Sequence, residues 1–326
     1  NKGWSWNDVL PYFLKAENQE HGSSKFHNNK GPLSVSDQRI KLDILDVFMD
    51  AAEEIGIPKV TDFNKGNNFG CGYFQVTVKN GLRCSTSVAY LRPIQNRNNL
   101  KIEVNSHVKN IDFKEKKTTG LSYWKDNKII NVKAKKEVIL SAGSIGSPHI
   151  LQASGVGDPY KLKSCGINII HNLVGVGKNL QDHLSIRVMH QSKIPTITDE
   201  LSKFERGIFA VIRAVLFRNG PAAGFPLAGG AFLKTSPDLE MPDIQIHFSP
   251  GNVMSIHRKP FAKPATDHTR PDAFMCHACQ LRPQSRGEIL LRTAAPEIPP
   301  IMEPNYLSAE YDRQVMRAGF KIARNL

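Results

Sequence analysis

The stretch from Glu137 to Gly157, EVILSAGSIGSPHILQASGVG, constrains the fold more than any other part of the chain. Val138, Ile139 and Leu140 form a continuous apolar run, the pattern of a strand buried on both faces of a sheet. Ser141, Ala142 and Gly143 follow with almost no side chain, so the backbone there can approach a ligand closely. Ser147 and Pro148 predict an N-cap followed by proline at the first helical position. Gly155 and Gly157 predict the helix end about two turns later. A strand leading through a small-residue turn into a helix start is a common way to hold a nucleotide cofactor. The same turn also occurs in α/β proteins that bind nothing there, so residue type alone leaves both readings open.

The particular residues narrow the choice. SAGSIGSPHILQASGVG resembles the second signature of the glucose–methanol–choline (GMC) family of FAD-dependent oxidoreductases, and GVGKNLQDHL, Gly175 to Leu184, follows at that family's distance. Other blocks are similar to family motifs. They are the GWS and VLPYF of Gly3 to Phe13, the GPL of Gly31 to Leu33, the run Arg83 to Pro93, LRPQSRG from Leu281, and Pro304 to Leu307. The resemblance runs the length of the chain and is nearest to the choline dehydrogenase-like alcohol dehydrogenases. One departure is Ala295, where the family usually carries Asp; we expect it to affect a turn and not the chemistry.

The resemblance implies an α/β (α+β) chain. An FAD-binding, Rossmann-like domain, lacking its N-terminal βαβ unit, would occupy 1–185, with an interleaved substrate-domain segment near 31–80. A substrate-binding domain, an antiparallel sheet flanked by helices and incomplete at its C-terminus, would occupy 186–326. The implied cofactor is FAD, held at Ser141, Ala142 and Gly143 and at the main chain of Val108. Read from its residues alone, Val108 is a buried strand position, and the two readings are compatible. The implied reaction is hydride transfer from an alcohol carbon to the flavin, with electrons passed to a quinone or other acceptor. A His near neutral pKa would remove the hydroxyl proton.

The family's GxGxxG fingerprint and its C-terminal block with the active-site His do not occur among these 326 residues. The expectation is therefore the middle of a longer flavoprotein, inactive alone, with no catalytic residue and no metal ligands in the chain and the His beyond its C-terminal end. An oxidase using O2, a hydroxynitrile-lyase-like FAD protein and an inactive remnant are the alternative readings.

Charge and cysteine usage bear on partners. The net charge is +13, from 43 Lys and Arg against 30 Asp and Glu, but the basic residues interleave with acids and lack an aromatic stacking set. That predicts a solvated surface and no nucleic acid. Five Cys imply no disulfide framework, which fits a reducing compartment and a cytoplasmic location. No apolar run is long enough to span a bilayer. Asp199 to Arg218 is predicted as a basic, amphipathic helix carrying Phe204, Ile208, Val211, Ile212, Val215 and Leu216. Packing of that stripe against a sheet is the preferred reading. Peripheral association with a membrane, the inner membrane in particular, is the alternative.

The remaining elements follow from local pattern. Helices are predicted over Ser5 to Phe13, Ile40 to Ile55, Arg83 to Leu91, Tyr160 to Cys165 and Ala309 to Leu326. Strands are predicted at Leu33 to Val35, Tyr73 to Val78, Leu100 to Val104, Asn168 to Ile170, Gly229 to Leu233, Ile244 to Phe248 and from Gly287. Three tempting motifs are set aside. Gly177-Lys178 lacks the first Gly and the Ser/Thr of a P-loop, because Asn172 and Asn179 stand there. Asp182-His183 is read as structural, since adjacent side chains seldom point at one another. Cys276-His277-Ala278-Cys279 has no second pair for zinc and is read as strand packing.

Overall fold

A computed structural model describes residues 2–197, 204–223, 227–251 and 273–326. Among the described residues the α-helices are α1 (Trp6–Ala16), α2 (Asp43–Glu54), α3 (Gly143–Ala153), α4 (Pro159–Ser164), α5 (Phe204–Phe217) and α6 (Glu310–Asn325). The chain divides into two compact units. The first comprises Asn1–Leu100, Leu184–Arg282 and Gln314–Leu326, and the second Lys101–His183 and Pro283–Arg313.

The first unit is built on a five-stranded antiparallel sheet, in the order Ser185–Gln191, Ala273–Gln280, Ile244–Ser249, Gly229–Leu233 and Gly70–Tyr73. Strand alternation puts Ile244, Ile246 and Phe248 on one face with Cys276 and Ala278, all fully buried. Helix α2 packs there: Ile44, Leu45, Phe48 and Ala52 are buried, and the Phe48 ring lies 4.7 Å from that of Phe248. At Gly319 of α6 an added Cβ would come within 2.8 Å of Ile244, so this helix crosses the same face in close contact. Helix α1 starts with a capping box, the Ser5 N–H donating to Asp8 at 3.0 Å, and buries none of its residues.

The second unit holds a three-stranded antiparallel sheet, His107–Lys114, Lys117–Lys125 and Lys128–Lys133, with α3 packed against its first strand. A second three-stranded sheet runs Lys178–Leu180, Gly287–Leu290 and Ile301–Glu303. The expected mixture of helices and antiparallel sheets is what is found.

Several local expectations are corrected. Val138 to Leu140 is not a strand. No strand among the described residues pairs with it, and Ile139 is 78% exposed, so its apolar run meets neither a ladder nor a core. Leu100 to Val104 is likewise outside any ladder, and the strand begins at His107 instead. Helix α3 starts at Gly143, four residues before the expected cap, so Pro148 lies inside it. The strand near Tyr73 is displaced to Gly70–Tyr73, and that near Asn168 to His171–Asn172, which pairs in parallel with Val156–Gly157. The run after Arg83 forms a π turn, Ser87–Leu91, followed by a 3-10 turn, Arg92–Ile94, that contains Pro93. The strand from Gly287 joins the small sheet of the second unit, not the five-stranded one.

The largest correction concerns α5. The predicted start at Asp199 lies outside the described residues, and the described part does not bury its stripe. Ile208, Val211, Ile212, Val215 and Leu216 are all exposed, while the small side chain of Ala210 is buried. The sequence period shows which residues share a face, but it carries no information on which face the rest of the chain covers.

Candidate functional site

The candidate site begins where the chain enters α3. Ala142 is the N-cap, and the Ser147 hydroxyl, one turn inside the helix, accepts the Ala142 N–H at 3.1 Å. The predicted capping residue therefore does cap, but from within. Gly143 adopts φ +80, a left-handed conformation that costs a residue with a Cβ about 1 kcal/mol or more. A Cβ placed there would meet nothing within 4 Å, so its backbone is open to an approaching group. Ser141 through Ile145 are exposed, and no acidic side chain occupies the first turn. The first N–H groups of α3 thus face outward with an uncompensated partial positive charge.

Val108 lies on the strand that α3 packs against. It pairs with Tyr123, and the ladder shifts register between Val108 and Asn110. The residue left without a partner opposite it is Lys109, next to Val108. The two elements are joined at their other end by Ser154, whose hydroxyl donates to Ile150 at 2.6 Å and accepts the Ile111 N–H at 2.8 Å. In the middle, His149 of α3 faces His107 of the strand. Burial first, and His107 second, push the His149 imidazole below its ordinary pKa, so it is neutral at neutral pH. The structure thus brings the turn at 141–143 and the strand of Val108 into one packed assembly. An open small-residue turn, an unopposed helix N-terminus and a bulged strand together fit a dinucleotide such as FAD.

The GVG block is fixed to the same helix. Gln152, buried on α3, donates to the carbonyls of Ile289 at 2.9 Å and Val176 at 3.3 Å, and the Ile289 N–H returns to Gly177 at 2.7 Å. Farther along, Asp182 accepts from the Tyr306 hydroxyl and from the His183 N–H at 3.0 Å, while His183 is exposed. Asp182 is structural, as expected, and the adjacent His183 joins it through its main-chain N–H.

Sequence reading passed over a second polar grouping. In the five-stranded sheet Arg187, His277 and His247 are direct cross-strand partners on one face. Burial, then Arg187 and His247, lower the His277 pKa, and one of its ring nitrogens is buried without a partner. The signal was present: alternation places residues 245, 247 and 249 together. Register between distant strands, however, is not written in any one of them. Glu20, His21 and Asp37 also cluster, with a His21–Asp37 pair at 2.9 Å; all three are exposed, an arrangement common without a cation.

Family models for GMC oxidoreductases match residues 1–185 and 283–326, more than half of the chain. The chain belongs to the GMC oxidoreductase family. Membership brings the family's cofactor, FAD. Mitochondrial choline dehydrogenase of Mus musculus is 34% identical over 325 residues, covering 100% of this chain and 53% of that protein. Alcohol dehydrogenase [acceptor] of Pseudomonas putida is 36% identical over 329 residues, covering 98% and 57%. This GMC chain therefore spans about half the length of the curated relatives it matches. Among solved structures, pyridoxine 4-oxidase from Mesorbium loti superposes with a TM-score of 0.81 at 21% identity, covering 100% of this chain and 59% of that one. An Aspergillus oryzae formate oxidase variant reaches 0.86 at 22%, covering 99% and 61%. At such identities the likeness shows the fold.

Proposed function

We propose that this chain is part of an FAD-dependent, choline dehydrogenase-like oxidoreductase that oxidises an alcohol to an aldehyde or ketone. The observation that carries the reading is the end-to-end similarity, above 30% identity, to choline and alcohol dehydrogenases. When bound, FAD accepts the hydride from the alcohol carbon. The proposed contacts from this chain are the main chain at Ser141, Ala142 and Gly143, with the N–H groups opening α3, and the main chain of Val108. The proton-abstracting His is proposed to lie beyond residue 326.

The proposed division of labour is FAD binding by 1–185, with a substrate-domain segment near 31–80, and substrate binding by 186–326. A quinone or similar carrier is the proposed acceptor. No described helix is long and apolar enough to cross a membrane. The proposed location is cytoplasmic and peripheral to the inner membrane, which suits a membrane-borne acceptor.

The test is anaerobic bleaching of the flavin in the protein encoded by the complete reading frame. Choline and simple primary alcohols are expected to bleach it, and reoxidation by a quinone to be faster than by O2. A flavin that no alcohol reduces would remove the redox reading in favour of a lyase-like protein. Faster reoxidation by O2 would make it an oxidase.

A further inference from the structure

Helix α5 is oriented opposite to a core helix. Its buried and half-buried positions are the small ones, Gly207, Ala210 and Ala214, spaced along one face. Its large apolar side chains point away: Phe209 is 73% exposed, Val215 70%, Leu216 68% and Phe217 67%, with Ile208, Val211 and Ile212 also exposed. Seven large apolar side chains on one short helix exceed what scattered surface residues explain, and such a patch marks a contact with something else.

The charges around it indicate what that is. Arg213 donates to the Asn219 side-chain oxygen at 2.7 Å, and Arg218 to the Asn80 carbonyl at 3.1 Å; both acceptors are neutral. The second bond seats the end of α5 on the turn of the hairpin formed by Val78–Lys79 and Leu82–Arg83. That hairpin exposes Lys79 and Arg83, together with the apolar side chain of Leu82. No ion pair neutralises Lys79, Arg83, Arg213 or Arg218 among the described residues. The sequence contains no Asp or Glu from Phe63 through Ile102, nor from Arg206 through Pro237. An apolar face bordered by unopposed cations, with acids absent from both contributing segments, has the composition of an interfacial helix and not of a solvated one.

We propose that α5 and the hairpin tip at Lys79 to Arg83 form a docking surface for an anionic lipid bilayer. Phe209, Val215, Leu216 and Phe217 would enter the boundary between headgroups and acyl chains. The Lys and Arg side chains, with long apolar stems, would reach back to the lipid phosphates. This deepens the peripheral location proposed above but does not rest on the alcohol chemistry.

The test is sedimentation of the protein with vesicles of phosphatidylcholine alone or mixed with phosphatidylglycerol, without substrate or acceptor. Binding is expected only with the anionic vesicles and is expected to weaken as salt rises. Lys79→Gln with Arg83→Gln should weaken it about thirtyfold. Phe209→Glu with Leu216→Glu should abolish it. All four positions are exposed, so each variant should keep the parent's unfolding midpoint, which confirms that it has folded. Failure to bind anionic vesicles, or binding indifferent to Phe209→Glu and Leu216→Glu, would overturn the proposal. So would a concentration-dependent dimer, in analytical centrifugation, that those two substitutions dissolve, because the face would then belong to a second copy. Vesicle binding and flavin bleaching are separate readouts, so either reading can fail without the other.

Discussion

The Ser154 hydroxyl stands 2.8 Å from the Ile111 amide and joins the end of α3 to the strand that carries Val108. Both residues are buried, so no bulk water replaces the acceptor when it is removed. Ser154→Ala should therefore leave a buried N–H unpaired and cost about 1–3 kcal/mol, read as a lower urea midpoint with an unchanged slope. An unchanged midpoint would mean that this bond does not hold the two elements together.

Gly177 should tolerate no side chain. It adopts φ +84, and an added Cβ would lie 2.2 Å from the Ile289 carbonyl oxygen and 2.5 Å from Gln152 Nε2. Backbone strain and collision act together, so Gly177→Ala should cost more than about 2 kcal/mol in thermal or urea unfolding. Gly143, with φ +80 but open space around it, should tolerate Ala at a cost of about 1 kcal/mol. A larger loss for Gly143→Ala than for Gly177→Ala would contradict the packing described.

Glu288 should make stability fall in acid. Hydrogen bonds from Lys161 and then Lys178 hold its carboxyl below the ordinary value of 4.5. A depressed folded-state pKa contributes stability that is present above the unfolded value and lost as pH falls through the folded one. Unfolding midpoints should thus be steady from neutral pH down to about 5 and decline below 4.5. The gap between the parent and Glu288→Gln should be widest at neutral pH and close in acid. A gap independent of pH would show that the ionised carboxylate is not what these lysines stabilise.

Thiol chemistry should be limited to one position. None of the five cysteines is in a disulfide, and only Cys165 is not buried. Burial pushes the Cys276 thiol up to about 12 and the Cys71 thiol up to about 11, so neither supplies thiolate at neutral pH. Ellman's reagent should titrate at most one thiol in the native protein, lost in Cys165→Ser, and all five after denaturation. Rapid native reaction of a second thiol would show that one of the buried cysteine sites opens readily.

Sequence by itself determined the family, the cofactor class and most of the helices. Those features depend on neighbours in the chain: the small residues at 141–143, the helix start near Ser5, the alternation at Ile244 to Phe248, and the 3.6-residue period of α2. The C-x-x-C reading was legible for the same reason. Cys276 and Cys279 lie three apart on one strand, and alternation turns them to opposite faces. Tertiary structure alone decided the rest. Val138 to Leu140 looked like a buried strand, but a strand exists only where another chain segment pairs with it. The row Arg187, His277 and His247 required the register of three strands distant in sequence. The outward face of α5 required knowing which side the chain covers. In each case the deciding term is a hydrogen bond or a buried area supplied by residues far away in the sequence, and no local pattern encodes it.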